Sequence, residues 1–123
     1  MPASFAEQRI GEIQQTYAHL IRDVLVLTLG EERFRLLLQL KDGTTLRVME
    51  RWRDGELVRY SYYWLDIRGT LKVGWDNAPH HTDLANYPHH KHVGAQAARE
   101  PSYETCLDDV VRVIRRAIAP PDL

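Results

Sequence analysis

The feature that most constrains this chain is a series of glycine turns set between strand-length apolar segments. Lys41-Asp42-Gly43-Thr44, Arg53-Asp54-Gly55-Glu56 and Ile67-Arg68-Gly69-Thr70 follow one another at short intervals. Asp-Gly suits a tight hairpin, because a type I′ turn needs φ > 0 at both central positions and glycine meets that need without a Cβ clash. Such turns join antiparallel neighbours. Strands are predicted over 33–40, 45–53, 57–67 and 71–77, with a further apolar strand over 23–29. The pattern is an antiparallel meander of about five to six strands.

Helical signals bracket the meander. Ser4-Phe5-Ala6-Glu7 has the S-x-x-E form of a capping box, and Ala6, Ile10, Ile13 and Tyr17 recur at helical spacing. A helix from Phe5 to His19 is expected. At the other end, Pro101 and Ser102 open a second predicted helix, with Tyr103, Leu107, Val110, Ile114 and Ile118 on one face. Its early acids (Glu104, Asp108, Asp109) and late arginines (Arg112, Arg115, Arg116) suit the helix dipole, and Pro120-Pro121 stops it. The expected fold is α+β, one domain over residues 1–123, with the sheet flanked by an N-terminal and a C-terminal helix.

Composition narrows the setting. No charged segment followed by an apolar run opens the chain, and the longest apolar stretch, Val24 to Leu29, is too short to span a membrane. Cys106 is the lone cysteine, which excludes an internal disulfide and a CxxC metal site. These points favour the cytoplasm. The net charge of −1 excludes polycation behaviour, yet residues 33–72 hold nine basic and five acidic side chains. That imbalance allows a local phosphate-binding surface.

Two-residue hairpin loops imply a register. Across Asp54-Gly55, Glu50 would oppose Arg59, and Arg47 would oppose Tyr62. Across Arg68-Gly69, Tyr62 would oppose Trp75, Trp64 would oppose Val73, and Ser61 would oppose Asp76. One face then carries Met49, Tyr60, Tyr62, Trp64, Leu71, Val73 and Trp75, read as core. The other carries Glu50, Arg59, Ser61, Tyr63, Lys72 and Asp76, with Ala78 and His80 continuing it.

The chemistry concentrates further on. The frame Asn-x-Pro-His-His occurs twice, at Asn77 and Asn86, and five of the six histidines fall within residues 77–92. The prolines predict extended or turn backbone. Three readings stand. Imidazoles titrating near neutrality could serve as acid and base for metal-independent RNA cleavage. Lys91 or Arg59 would then stabilise the phosphate, and Asp76 or Glu50 would orient an imidazole. Alternatively, His90 and His92, sharing one face of a strand, could ligate a divalent transition metal. Third, the histidines could form turn hydrogen bonds or an interface. The candidate group is His80, His81, His89, His90, Lys91, His92, Asp76, Arg59 and Glu50.

From about Leu38 to Arg116 the chain resembles the TumE family, toxin components of bacterial and archaeal toxin–antitoxin modules. The resemblance is carried by Asp42-Gly43, Arg59-Tyr60-Ser61-Tyr62-Tyr63-Trp64, Asp76-Asn77-Ala78-Pro79-His80-His81, Tyr87-Pro88-His89-His90-Lys91-His92, and Ser102 before the last helix. Tyr87 stands where Phe is commoner. Gly74 stands where a bulkier residue is common, which predicts looser packing in that strand. The resemblance implies a small cytoplasmic toxin neutralised by a cognate antitoxin, often a helix-turn-helix DNA-binding protein. It transfers no catalytic assignment. The leading expectation is an endoribonuclease-like toxin using histidine acid–base catalysis, with RNA as substrate and no required cofactor. The alternatives are a metal-dependent enzyme or metal-binding module, and a non-enzymatic partner protein. A homo-oligomer is compatible with all three.

Overall fold

Alternating burial along each central strand sorts the sheet into two unlike faces. The computed structural model describes residues 2–79 and 83–118. In chain order the elements are α1 (Phe5–Thr16), β1 (Ile21–Leu29), β2 (Arg33–Leu40), β3 (Thr45–Arg53), β4 (Glu56–Leu65), β5 (Leu71–Asp76), β6 (His90–Val93), β7 (Arg99–Pro101) and α2 (Leu107–Ile118). The strands form one seven-stranded antiparallel sheet in sequence order, so every connection joins neighbours. This is the predicted α+β meander, extended by two short strands from the histidine segment and its sequel.

Both helices contribute to a single core on one side of the sheet. Phe34, Leu36, Leu38 and Leu40 of β2, Leu46 and Val48 of β3, Tyr60, Tyr62 and Trp64 of β4, and Trp75 of β5 are buried against Ala6, Ile10 and Ile13 of α1 and Leu107, Val110, Val111 and Ile114 of α2. The predicted capping box closes α1: Glu7 N–H donates to Ser4 Oγ and Ser4 N–H donates to Glu7 Oε1. Among the described residues no helix is long and apolar enough to cross a membrane.

The start of α2 is a correction. Pro101 and Ser102 do not open the helix: Pro101 ends β7, opposite His90, and α2 begins at Leu107. The buried Ser102 spends its hydroxyl on the Glu104 carbonyl, so the segment between strand and helix is held locally.

The hairpins turn where predicted, but β-bulges decide the faces. Asp54 and Gly55 both have positive φ, and Arg53 pairs Glu56, Trp52 pairs Leu57. The register then shifts, so that Arg51 pairs Arg59 and Glu50 pairs Tyr60. That single extra residue exchanges Met49 and Glu50 between faces. Glu50 therefore lies on the helix side, not beside Arg59. The next hairpin errs in the opposite sense. Its turn is longer, with Asp66 N–H donating to the Thr70 carbonyl, but a bulge between Trp64 and Leu65 restores the expected pairs Trp64–Val73, Tyr62–Trp75 and Ser61–Asp76.

Gly74 departs from the looser packing expected of it. It is buried, and a Cβ there would lie 2.6 Å from Cδ1 and 2.7 Å from Cε1 of Tyr63. The strand is not loosely packed at this point. The Tyr63 ring fills the space that a side chain would need.

Candidate functional site

The sheet face opposite the helices carries a run of arginines. Arg33 and Arg35 of β2, Arg47 and Arg51 of β3, and Arg59 of β4 alternate with the buried core positions of the same strands. Of the acids within 33–72, Glu50 is on the helix side, and Asp42, Asp54, Glu56 and Asp66 stand in or beside the hairpin turns. Segregation by strand period thus builds a positive surface on a chain of net charge −1.

This surface ends at a shallow pocket of about 470 Å³ lined by Arg35, Met49, Arg59, Ser61, Tyr63, Asp76, Ala78, His90, His92, Gln96 and Arg99. Its floor is a buried cluster. Asp76 pairs His90 directly across β5 and β6, and His92 follows on the same face opposite Gly74. His90 Nε2 is 2.9 Å from Asp76 Oδ1, and His92 Nε2 is 3.4 Å from Asp76 Oδ2. Tyr63 donates its hydroxyl to Oδ2 at 3.2 Å, and Ala78 donates its backbone N–H to Oδ1 at 2.9 Å. His90, His92 and Asp76 are 2%, 6% and 6% exposed.

The outer edge of each imidazole is also fixed. His90 Nδ1 lies 3.0 Å from the Pro88 carbonyl, and His92 Nδ1 lies 2.7 Å from the Gln96 carbonyl. A carbonyl only accepts, so each Nδ1 carries hydrogen and donates, and Nε2 faces the carboxylate.

The repeated Asn-x-Pro-His-His frame has a structural reason in its asparagines. Asn77 accepts from Tyr60 N–H and donates to the Val58 carbonyl, tying the exit of β5 to β4. Asn86, at φ 60, donates to the Ser102 carbonyl, tying the second frame to the segment after β7. The Tyr87–Pro88 peptide is cis.

Of the sequence candidates, Asp76, His90, His92 and Arg59 converge here. Among the described residues, buried Arg59 Nε has no hydrogen-bond partner. The other described candidates do not join them. Glu50 is fully buried on the helix side, accepting from Arg9, Trp52 and Tyr62. Lys91 projects to that side too, its Nζ 3.4 Å from Glu104 Oε1, because it alternates with His90 and His92. His89 stacks on Tyr60, with Nδ1 2.8 Å from the phenol oxygen. Burial, with a smaller contribution from His90, draws the His89 imidazole below its usual pKa. His80 and His81 lie outside the described residues.

Sequence reasoning put Tyr63 on the polar face without making it a candidate, and did not single out Arg35, Arg99 or the Gln96 carbonyl. Tyr63 and Arg35 were open to the same alternation rule that found Arg59. Arg99 and Gln96 depend on the turn between β6 and β7, for which no local signal stood out.

A model of the family described as Toxin TumE matches residues 10–118 of this chain. No curated protein and no solved structure matches it.

Proposed function

The chain belongs to the TumE toxin family, and from that premise we propose that this toxin acts on RNA, with the phosphate backbone crossing the arginine face and one phosphodiester seated over Asp76, His90 and His92. The observation that carries this reading is the meeting of a basic sheet face with a buried histidine–carboxylate cluster in one pocket. Guanidinium groups suit phosphate because their planar donors match its oxygens. Arg59, with its buried Nε left over among the described residues, is the group we assign to the reacting phosphate.

Cleavage by a neighbouring 2′-hydroxyl needs one group to take that proton and another to return one to the leaving oxygen. We assign the acceptor to Nε2 of one imidazole, neutral, and the donor to Nε2–H of the other, protonated, with the Asp76 carboxylate between them; the 2′-hydroxyl proton goes to the first and the second returns one to the leaving oxygen. Arg35 and Arg99 would share the developing charge on the phosphorus oxygens. The partner is a cognate antitoxin, read as a helix-turn-helix DNA-binding protein, and the site of action is the cytoplasm.

Induced alone, the wild-type chain should arrest growth, and His90→Ala should relieve the arrest while the protein still accumulates. Purified wild type should cleave an RNA oligonucleotide and spare its 2′-deoxy counterpart. Growth arrest with cellular RNA left intact would overturn the RNA assignment.

A further inference from the structure

We propose that Asp76, His90 and His92 form a binding site for one divalent transition-metal ion. The proposal shares the pocket of the RNA reading but not its proton transfers: with the ion bound, Nε2 of His90 and of His92 are ligands, so acid–base work at those atoms belongs to the ion-free protein.

Each Nδ1 donates to a backbone carbonyl, at Pro88 for His90 and at Gln96 for His92. A neutral imidazole so held has its lone pair on Nε2. Both Nε2 atoms face the carboxylate of Asp76, which likewise offers only lone pairs when ionised. When both imidazoles are neutral, three electron-pair donors converge in a buried place, and one cation can accept from all three. An outer imidazole N–H held by a carbonyl is also the second layer that metal-bound histidines characteristically have.

The spacing agrees. Two ligands each about 2.1 Å from an ion stand about 3.0 Å apart at a right angle and about 3.4 Å apart at the tetrahedral angle. Here the contacts from His90 and His92 to Asp76 are 2.9 and 3.4 Å, made to its two separate oxygens. One donor atom from each of the three residues can be chosen so that all lie within 4.8 Å of one another. The two imidazoles meet edge to face, at 83°, with centroids 5.1 Å apart, which lets both aim Nε2 at one point without stacking.

The fold holds this arrangement in advance. His90 and His92 share a face because strand side chains alternate, and Asp76 is the cross-strand partner of His90. Opposite His92 the sheet has Gly74, and the Tyr63 ring enters that gap to reach the carboxylate. Two imidazoles and one carboxylate, open on the pocket side, suit Mn, Fe, Co, Ni or Zn better than the all-oxygen preferences of Mg or Ca. Arg35, Arg59 and Arg99 line the same pocket and oppose a cation, so binding should be moderate in strength. The same arginines would draw the phosphate of a substrate toward the ion.

The test uses tag-free, full-length protein, stripped with chelator and titrated calorimetrically with Mn²⁺, Co²⁺, Ni²⁺ and Zn²⁺. The expected result is about one equivalent of at least one ion bound with Kd below about 10 μM, and a thermal transition raised by that ion. His92→Ala and the shape-conserving Asp76→Asn should each weaken binding by about 100-fold. His89→Ala, on the far side of the sheet, should bind as wild type does. Failure of every ion to bind the wild type below about 100 μM would overturn the proposal. So would wild-type affinity in a folded His90→Ala/His92→Ala double variant. RNA cleavage by the stripped protein together with absent binding removes the ion and leaves the RNA reading standing. Binding with RNA untouched under all conditions leaves the ion and removes that reading.

Discussion

Replacing Glu50 by alanine should cost this protein a substantial part of its stability, although the sequence register placed Glu50 beside Arg59 in the site. The carboxylate is fully buried and accepts from Arg9 Nε at 2.9 Å, Arg9 Nη2 at 3.2 Å, Trp52 Nε1 at 2.9 Å and the Tyr62 hydroxyl at 2.6 Å. Burial and the adjacent carboxylate push the Tyr62 phenol well above its ordinary pKa, so it remains a donor at physiological pH. Removing one member of a buried ion pair costs about 3–5 kcal/mol. The Arg9 side chain is 18% exposed and can recover some water, which argues for the lower end of that range. The stranded Tyr62 hydroxyl adds about 1–3 kcal/mol, part of it already counted with the pair. A loss of about 4 kcal/mol is expected, against a typical domain stability of about 5–15 kcal/mol. Glu50→Gln, which keeps the shape and one acceptor, should cost about half as much. Urea unfolding followed by tryptophan fluorescence measures both. A change below about 1 kcal/mol in Glu50→Ala, combined with lost toxicity, would refute this reasoning and return Glu50 to the site.

Gly74→Ala should cost about 1–3 kcal/mol, because the new Cβ displaces the Tyr63 ring and with it the hydroxyl contact to Asp76. Thermal unfolding checks the cost, and an unchanged transition would mean that the ring yields freely. Arg35→Glu combined with Arg59→Glu should weaken RNA binding and lower the slope of log affinity against log salt by about two, read from fluorescence anisotropy across a salt series. His89→Ala should lose about 1–3 kcal/mol through the Tyr60 hydroxyl while leaving RNA cleavage per folded molecule intact. Denaturation and a cleavage assay on the same preparation separate the two effects.

Much of the architecture is legible in sequence because its signals are local. The Asp-Gly turns specify hairpins, the capping box specifies where α1 starts, and alternation in 33–40 and 45–53 marks which side chains are buried. The histidine segment stood out in the sequence as a candidate site, and the shared face of His90 and His92 follows from strand period alone. The two late strands were harder to read. β6 and β7 are short, four and three residues, and are strands because β5 offers an edge to β6 and β6 in turn offers one to β7.

The sequence by itself determined which residue types could meet: antiparallel neighbours, an arginine-bearing face, and imidazoles two residues apart. The tertiary structure decided which of them do. One bulge between Arg51 and Trp52 moved Glu50 from the arginine face into the core, since a one-residue slip reverses a strand's side chains. The pairing of β6 with β5 brought His90 and His92 onto Asp76 and turned His89 and Lys91 toward the helices. Neither event has a local sequence signature. A bulge and a sheet-edge pairing are chosen by the packing of the whole core, where buried area outweighs the preference of any one segment.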